Sequence, residues 1–324
     1  MTKLINKRAN SALPPQALID EKASECARVV PDGFHVFVGA LQERFGNSLE
    51  AVLLYGSCLH SYDLENSVVD LYAVVDDYGS AYESKFLRFL NQYVPPNVFY
   101  LELEHEGMIL RCKYGVISLK DFEDGAFSWF HSYIWGRFSQ PTRLLYTASK
   151  ESQSRMHTLL AQATLTFLSE SIPALGRSNV DTESIWSRGL ALSYEAELRP
   201  EKKNRAQQLT HLNMGDYIRL TASAVPALDN LEALPHDRYN CMITEKECRT
   251  SLRQWRLRGI QGRVLSVMRL TKAVFTFRDC VDYAAWKIER HTGIKIEVTP
   301  QLQKHPILFG GTVLVKLIRA GVMH

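Results

Sequence analysis

A chain of 324 residues is too long for one small core and suits two domains. With 46% apolar and 23% charged residues and a net charge of +3, it is neither a disordered chain nor one that composition alone marks as a nucleic-acid binder. Six scattered cysteines with no Cys-x-x-Cys pair exclude a disulfide framework or zinc site and favour a reducing compartment, and no apolar run reaches the ~18 residues needed to span a bilayer.

Residues 1–15 read as an N-terminal tail that ends at Pro14-Pro15. Lys3, Lys7 and Arg8 come without the apolar stretch of a secretory signal; a solvated tail is expected, and an import sequence of the same basic, acid-poor character stays open. Residues 16–46 read as helical, with Val36, Phe37, Leu41 and Phe45 at helix-like spacing. A short apolar strand, Leu49–Tyr55, is closed by Gly56-Ser57, and a second, Val68–Val75, ends at Asp76-Asp77. A helix near 79–93 leads to Pro95-Pro96. Residues 98–104 alternate, with Phe99, Leu101 and Leu103 on one face and Tyr100, Glu102 and Glu104 on the other; Glu106-Gly107 turns the chain and 108–118 returns as the partner strand. Residues 119–138 read as an aromatic-rich helix in which Trp129, Trp135 and Phe138 are core. The pattern is then mainly helical, over 150–170, 181–198, 204–223 and 250–291, before a short apolar segment dotted with Lys316 and Arg319.

The expected fold is therefore α+β, a small mixed sheet with helices followed by a mainly helical part. Residues 16–148 form the first domain, 149–300 the second and 301–324 a C-terminal amphipathic segment. The boundary is set where sheet-like pattern stops.

The most informative stretch is Leu53-Leu-Tyr-Gly-Ser57 followed by Val68-Val-Asp70. Glycine lets a turn approach a triphosphate closely, and the serine hydroxyl can meet phosphate oxygen. A carboxylate on the adjacent strand can then hold Mg²⁺ beside those phosphates. This layout resembles the nucleotidyltransferase superfamily, which usually places a second acid two residues on; here that position is Tyr72. Asp76, Asp77, Glu102 and Glu104 remain as candidates, and Glu102 is taken with Asp70 as the metal pair. Arg111 and Lys113 alternate onto one strand face, a suitable place to meet phosphate, and Arg137 can add to them.

Lys113-Tyr-Gly-Val-Ile-Ser-Leu119, Trp129, Tyr133-Ile-Trp-Gly-Arg-Phe138 and Gln140-Pro141 resemble, in order and spacing, the mitochondrial translocator assembly and maintenance family of phosphatidate cytidylyltransferases. Leu192-Ser-Tyr-Glu-Ala-Glu-Leu-Arg199 is similar to a further block of that family, with Glu197 where the family has Asp. The resemblance covers roughly 45–200. It implies a nucleotidyltransferase domain, a helical or winged-helix-like second domain, and Mg²⁺-dependent transfer of CMP from CTP to phosphatidic acid. It further implies that Gly56 and Ser57 hold the triphosphate, Asp70 binds metal and Lys113 neutralises phosphate, while Tyr194, Glu197 and Arg199 complete the site. The family's usual His and Asn after the Asp77 position are replaced here by Tyr82 and Lys85, which fits a divergent, bacterial branch and leaves the acceptor open.

A lipid acceptor requires an interfacial surface. The basic run Lys246, Arg249, Arg253, Arg256, Arg258, Arg263, Arg269, Lys272 and Arg278, interleaved with Trp255, Leu257, Ile260, Val264 and Leu265, supplies one, as does the terminal segment. The expected placement is peripheral, on the inner face of the cell membrane or on the matrix side of the mitochondrial inner membrane, with no nucleic-acid partner. RNA is the rival ligand of the basic run. The rival functions are a nucleotidyltransferase with another acceptor and an inactive scaffold of the same fold.

Overall fold

The computed structural model describes residues 13–276, apart from 65–66, 177 and 198–203. The first two helices are α1 (Gln16–Cys26) and α2 (His35–Phe45), separated where Pro31-Asp32-Gly33 interrupts the expected continuous helix. Strand β1 (Leu49–Tyr55), the short α3 (Cys58–Ser61) and β2 (Val68–Val75) follow. Next come α4 (Tyr78–Ala81), α5 (Lys85–Tyr93), and the hairpin β3 (Asn97–His105) and β4 (Met108–Ser118). Glu106 and Gly107 both take positive φ at its turn, as a two-residue hairpin loop demands. Helices α6 (Leu119–Phe127) and α7 (Trp135–Phe138) replace the single helix expected over 119–138, and β5 (Arg143–Thr147) completes the sheet.

The sheet order is β3-β4-β2-β1-β5, with β2 and β4 parallel and every other pair antiparallel. Strand alternation sorts β2 onto two cores. Val69, Leu71, Ala73 and Val75 join Phe37, Leu41 and Phe45 of α2 on one face. Tyr72 and Val74 face the other way, into a cluster with Phe122, Trp135, Phe138 and the helices beyond. Asp70 shares that second face by the same period of two.

Beyond Thr147 the order is α8 (Lys150–Ser171), β6 (Asn179–Asp181), α9 (Thr182–Glu195), α10 (Arg205–Leu212), α11 (Met214–Ala224), β7 (Leu231–Leu234), β8 (Arg238–Cys241) and α12 (Glu245–Thr276). Ser149 and Asp181 cap α8 and α9 through their side chains. The small sheet β6-β8-β7 with its flanking helices has winged-helix order, and its three short strands lie inside a stretch that reads as helical. One hydrophobic cluster runs from Leu53 and Tyr72 of the main sheet through Leu160 and Phe167 of α8 to Trp186 of α9 and Trp255 of α12. Among the described residues no helix is long and apolar enough to cross a membrane. The expected C-terminal segment, 301–324, and Arg278 lie outside the described residues.

Candidate active site

The site is built on the sheet face that looks toward the helical half. Tyr55, the last residue of β1, is the register partner of Asp70 on β2, so the chain leaves the sheet directly beside that carboxylate. Gly56 makes the turn with φ of +86°, and a Cβ added there would lie 2.6 Å from Asp70 Oδ2 and 3.2 Å from its Cβ. The position thus requires glycine on two counts, for its dihedral and for the close approach of the turn to the acid. Ser57 follows, at the start of α3.

On the other side of β2, Asp70 is registered with Lys113 of the parallel strand β4. Lys113 Nζ lies 2.8 Å from Asp70 Oδ1, the acid being 15% exposed and the lysine 36%. Arg111, two residues back on the same face, donates from Nε to Glu102 Oε1 at 3.0 Å. The structure does not bring Glu102 to Asp70. β4 lies between their strands, so the two are on the order of 10 Å apart across the sheet. Glu102 instead accepts from Arg111 and from the Tyr100 hydroxyl. Among the described residues no group of three or more His, Cys, Asp or Glu is placed to hold a metal.

The position of the missing second acid is filled differently. Tyr72 is buried, and its hydroxyl accepts a hydrogen bond from Arg137 Nη1 at 3.2 Å. Arg137, on α7, also places Nη2 at 3.4 Å from Glu197 Oε2, both side chains being nearly buried. Its guanidinium lies 4.2 Å from the ring centre of Tyr133 and 5.6 Å from that of Tyr55. Arg269 of α12 covers Tyr133 at 3.6 Å. Burial works against the Arg137 charge, but Tyr133, Tyr72, Glu197 and Tyr55 outweigh it and hold the guanidinium firmly protonated. Burial likewise raises the Tyr133 phenol, yet Arg137, Arg269 and a hydrogen bond with Tyr72 bring it below the ordinary tyrosine value. Tyr72 moves the opposite way, raised by burial first and then by Tyr133.

Of the residues expected in the site, Gly56, Asp70 and Lys113 come together on the central strands β1, β2 and β4, with Ser57 next in the turn and Arg111 next along β4. Glu197 enters from the end of α9 through Arg137. Tyr194 is buried and turns to Gln140, donating from its hydroxyl to Oε1 at 2.8 Å, so it fixes α9 to the segment after α7. Arg199 lies outside the described residues. Tyr133 and Arg269 were not legible as site residues: the first sits in an aromatic run that reads as core, the second in a basic run that reads as a membrane-facing surface.

The family described as mitochondrial phosphatidate cytidylyltransferase matches residues 44–268, which takes in the whole sheet, α8, α9 and most of α12. No curated protein matches the chain. A match over more than half of the chain makes this protein a member of the phosphatidate cytidylyltransferase family and thereby a nucleotidyltransferase.

Proposed function

We propose that the protein transfers CMP from CTP to phosphatidic acid with the help of Mg²⁺, giving CDP-diacylglycerol and pyrophosphate. The observation that carries this reading is the Gly56 turn pressed onto the Asp70 carboxylate, with Lys113 at 2.8 Å on the same face. Mg²⁺ is commonly held by one or two carboxylates together with substrate phosphates, so Asp70 beside a triphosphate turn is a sufficient protein donor set without Glu102. When bound, the ion supplies neutralisation of charge on the triphosphate.

The chain's own residues then do the following. The Gly56-Ser57 turn positions the triphosphate. Asp70 would hold the ion, and Lys113, which pairs with Asp70 at 2.8 Å, would turn its ammonium to a phosphate oxygen. A phosphatidate oxygen forms a bond to the α-phosphorus, the bond from that phosphorus to the β-phosphate bridge breaks, and pyrophosphate leaves with the electron pair. The phosphomonoester is largely ionised at neutral pH, its second pKa lying near ~6, so no strong base is required. Glu197, tied to Arg137, orients rather than deprotonates. Arg137 supplies a fixed positive charge where the superfamily layout would have a second acid, which supports positioning and electrostatic stabilisation as the main contributions.

Placement at a membrane surface follows from the lipid acceptor, and the family's description favours the mitochondrial membrane over the cell membrane. Tyr72 in the second-acid position supports a second reading, a related acceptor or an inactive scaffold. Pyrophosphate release separates these readings. The expected result is release from CTP that depends on both Mg²⁺ and phosphatidate. Release supported equally by RNA ends or small alcohols would assign another acceptor, and CTP binding without release from any acceptor would assign a scaffold.

A further inference from the structure

A cleft of about 500 Å³ lies between α9 and α12. Arg188 contributes from α9, and Arg256 and Arg263 from α12. Glu195 supplies a carboxylate, Trp255 a buried aromatic wall and Ile260 part of the outer rim. On α12 the spacing of 256, 260 and 263 puts all three residues on one helix face, as 188 and 195 do on α9. The three arginines are exposed, and among the described residues none has an ion-pair partner. Three guanidinium groups against one carboxylate make a concave site with excess positive charge and an apolar wall.

A strip of exposed apolar side chains begins at the same rim. Ile260 is 63% exposed, and Val264, Val267 and Phe275 follow at helical spacing. Phe275 meets Phe86 of α5 edge-on, which continues the strip to the exposed Phe89 and Tyr93. From Ile260 to Phe275 the helix rises ~22 Å. A charged cleft opening onto an apolar strip of that length matches a ligand with an anionic head and long hydrocarbon chains.

We infer that this cleft binds the phosphomonoester headgroup of a membrane lipid, with its acyl chains lying along the α12 strip. The inference deepens the proposed reaction and rests on it for the choice of phosphatidate as the lipid. A phosphomonoester carries about −1.5 to −2 charges at neutral pH, more than a phosphodiester head, and guanidinium forks suit its oxygens. The cleft also adjoins the site. Its lining residues Glu195 and Ala196 immediately precede Glu197, and α12 packs Gly262 against the Ala196 carbonyl.

The test is sedimentation of the full chain with phosphatidylcholine vesicles containing phosphatidate, or phosphatidylglycerol at matched charge. Tighter binding to phosphatidate vesicles is expected. The combined Arg188→Gln, Arg256→Gln and Arg263→Gln variant, altered only at exposed helix positions, should lose about a hundredfold of that affinity while CTP binding is unchanged. Unchanged vesicle affinity in the variant would overturn the proposal, as would an equal loss on both vesicle types, which would mean a general basic surface. Inorganic phosphate and a short-chain phosphatidate are compared by thermal shift. A shift from phosphate as large as that from the lipid would reassign the cleft to free phosphate. Loss of RNA binding alone would reassign it to nucleic acid. Because none of these readouts uses turnover, failure here is distinguishable from failure of the proposed reaction.

Discussion

At Gly56 two constraints fall on one residue, a positive φ and a carboxylate oxygen 2.6 Å from where a Cβ would sit. Gly56→Ala should therefore push Asp70 away from the turn, with turnover falling far more than the midpoint of thermal unfolding; a variant as active as the parent would refute the tight turn as the triphosphate cradle. Glu102 gives the opposite expectation. Glu102 is half-exposed in its pairing with Arg111, which contributes on the order of 1 kcal/mol, so Glu102→Gln should keep turnover and Mg²⁺ dependence within about threefold. Lys272 offers a test by pH. It is buried, its Nζ donates to the Val94 and Pro96 carbonyls, and burial and then Arg269 lower its pKa to about 7. A neutral amine still has two N–H groups for those two acceptors. Above that value and up to the ordinary lysine range, the unfolded chain holds a proton that the folded one lacks. Stability should therefore rise with pH across that window, by up to about 1.4 kcal/mol per pH unit, and Lys272→Met should remove the slope. Denaturant midpoints measured from neutral to alkaline pH would show it. The turn, its acid and its lysine were readable because strand alternation and a Gly-Ser ending are local signals. The separation of Glu102 from Asp70 was not, because the insertion of β4 between β3 and β2 is a property of sheet order.

Helix α12 shows how an element can mislead as a string of residues. Arg258, Arg269 and Lys272 read as part of the basic run expected to face a membrane, yet all three turn into the protein and are not available to that surface. Arg258 is 1% exposed and bonds the Phe130 carbonyl and Glu170, while Arg269 donates to the Pro95 carbonyl at 2.9 Å. Arg258→Met removes the buried guanidinium that Glu170 and the Phe130 carbonyl share and should cost about 1–3 kcal/mol in denaturant unfolding. Two glycines of the same helix make a controlled pair. A Cβ at Gly262 would lie 1.9 Å from the Ala196 carbonyl oxygen, whereas at Gly259 it would meet the Glu195 oxygen at an ordinary 4.0 Å. Gly259→Ala should be neutral or stabilising by up to ~1 kcal/mol, and Gly262→Ala should lower both stability and turnover by displacing the segment that carries Glu197. Equal behaviour of the two variants would contradict the packing described here. The elements missed in the sequence share one trait. β5, β6, β7 and β8 are three to five residues long, too short for periodicity to declare itself.

At the scale of the whole molecule, the sheet supplies the Gly-Ser turn, Asp70 and Lys113, and the helical half supplies the charges beside them. Arg137 from α7, Glu197 from the end of α9 and Arg269 from α12 converge on the same tyrosines. The order of motifs along the chain separates a sheet-like stretch from a mainly helical one, whereas the convergence depends on how α12 packs back against the rest, which no local pattern encodes. Because a single hydrophobic cluster joins the two parts, a disturbance in α12 is expected to reach the site. The most direct measurement is the incubation of the purified full chain with Mg²⁺, labelled CTP and phosphatidate, beside an Asp70→Asn variant of equal thermal stability. The account predicts a labelled CDP-diacylglycerol from the parent and none from the variant. An equally labelled lipid from Asp70→Asn, or no labelled lipid from a folded parent that binds CTP, would contradict it.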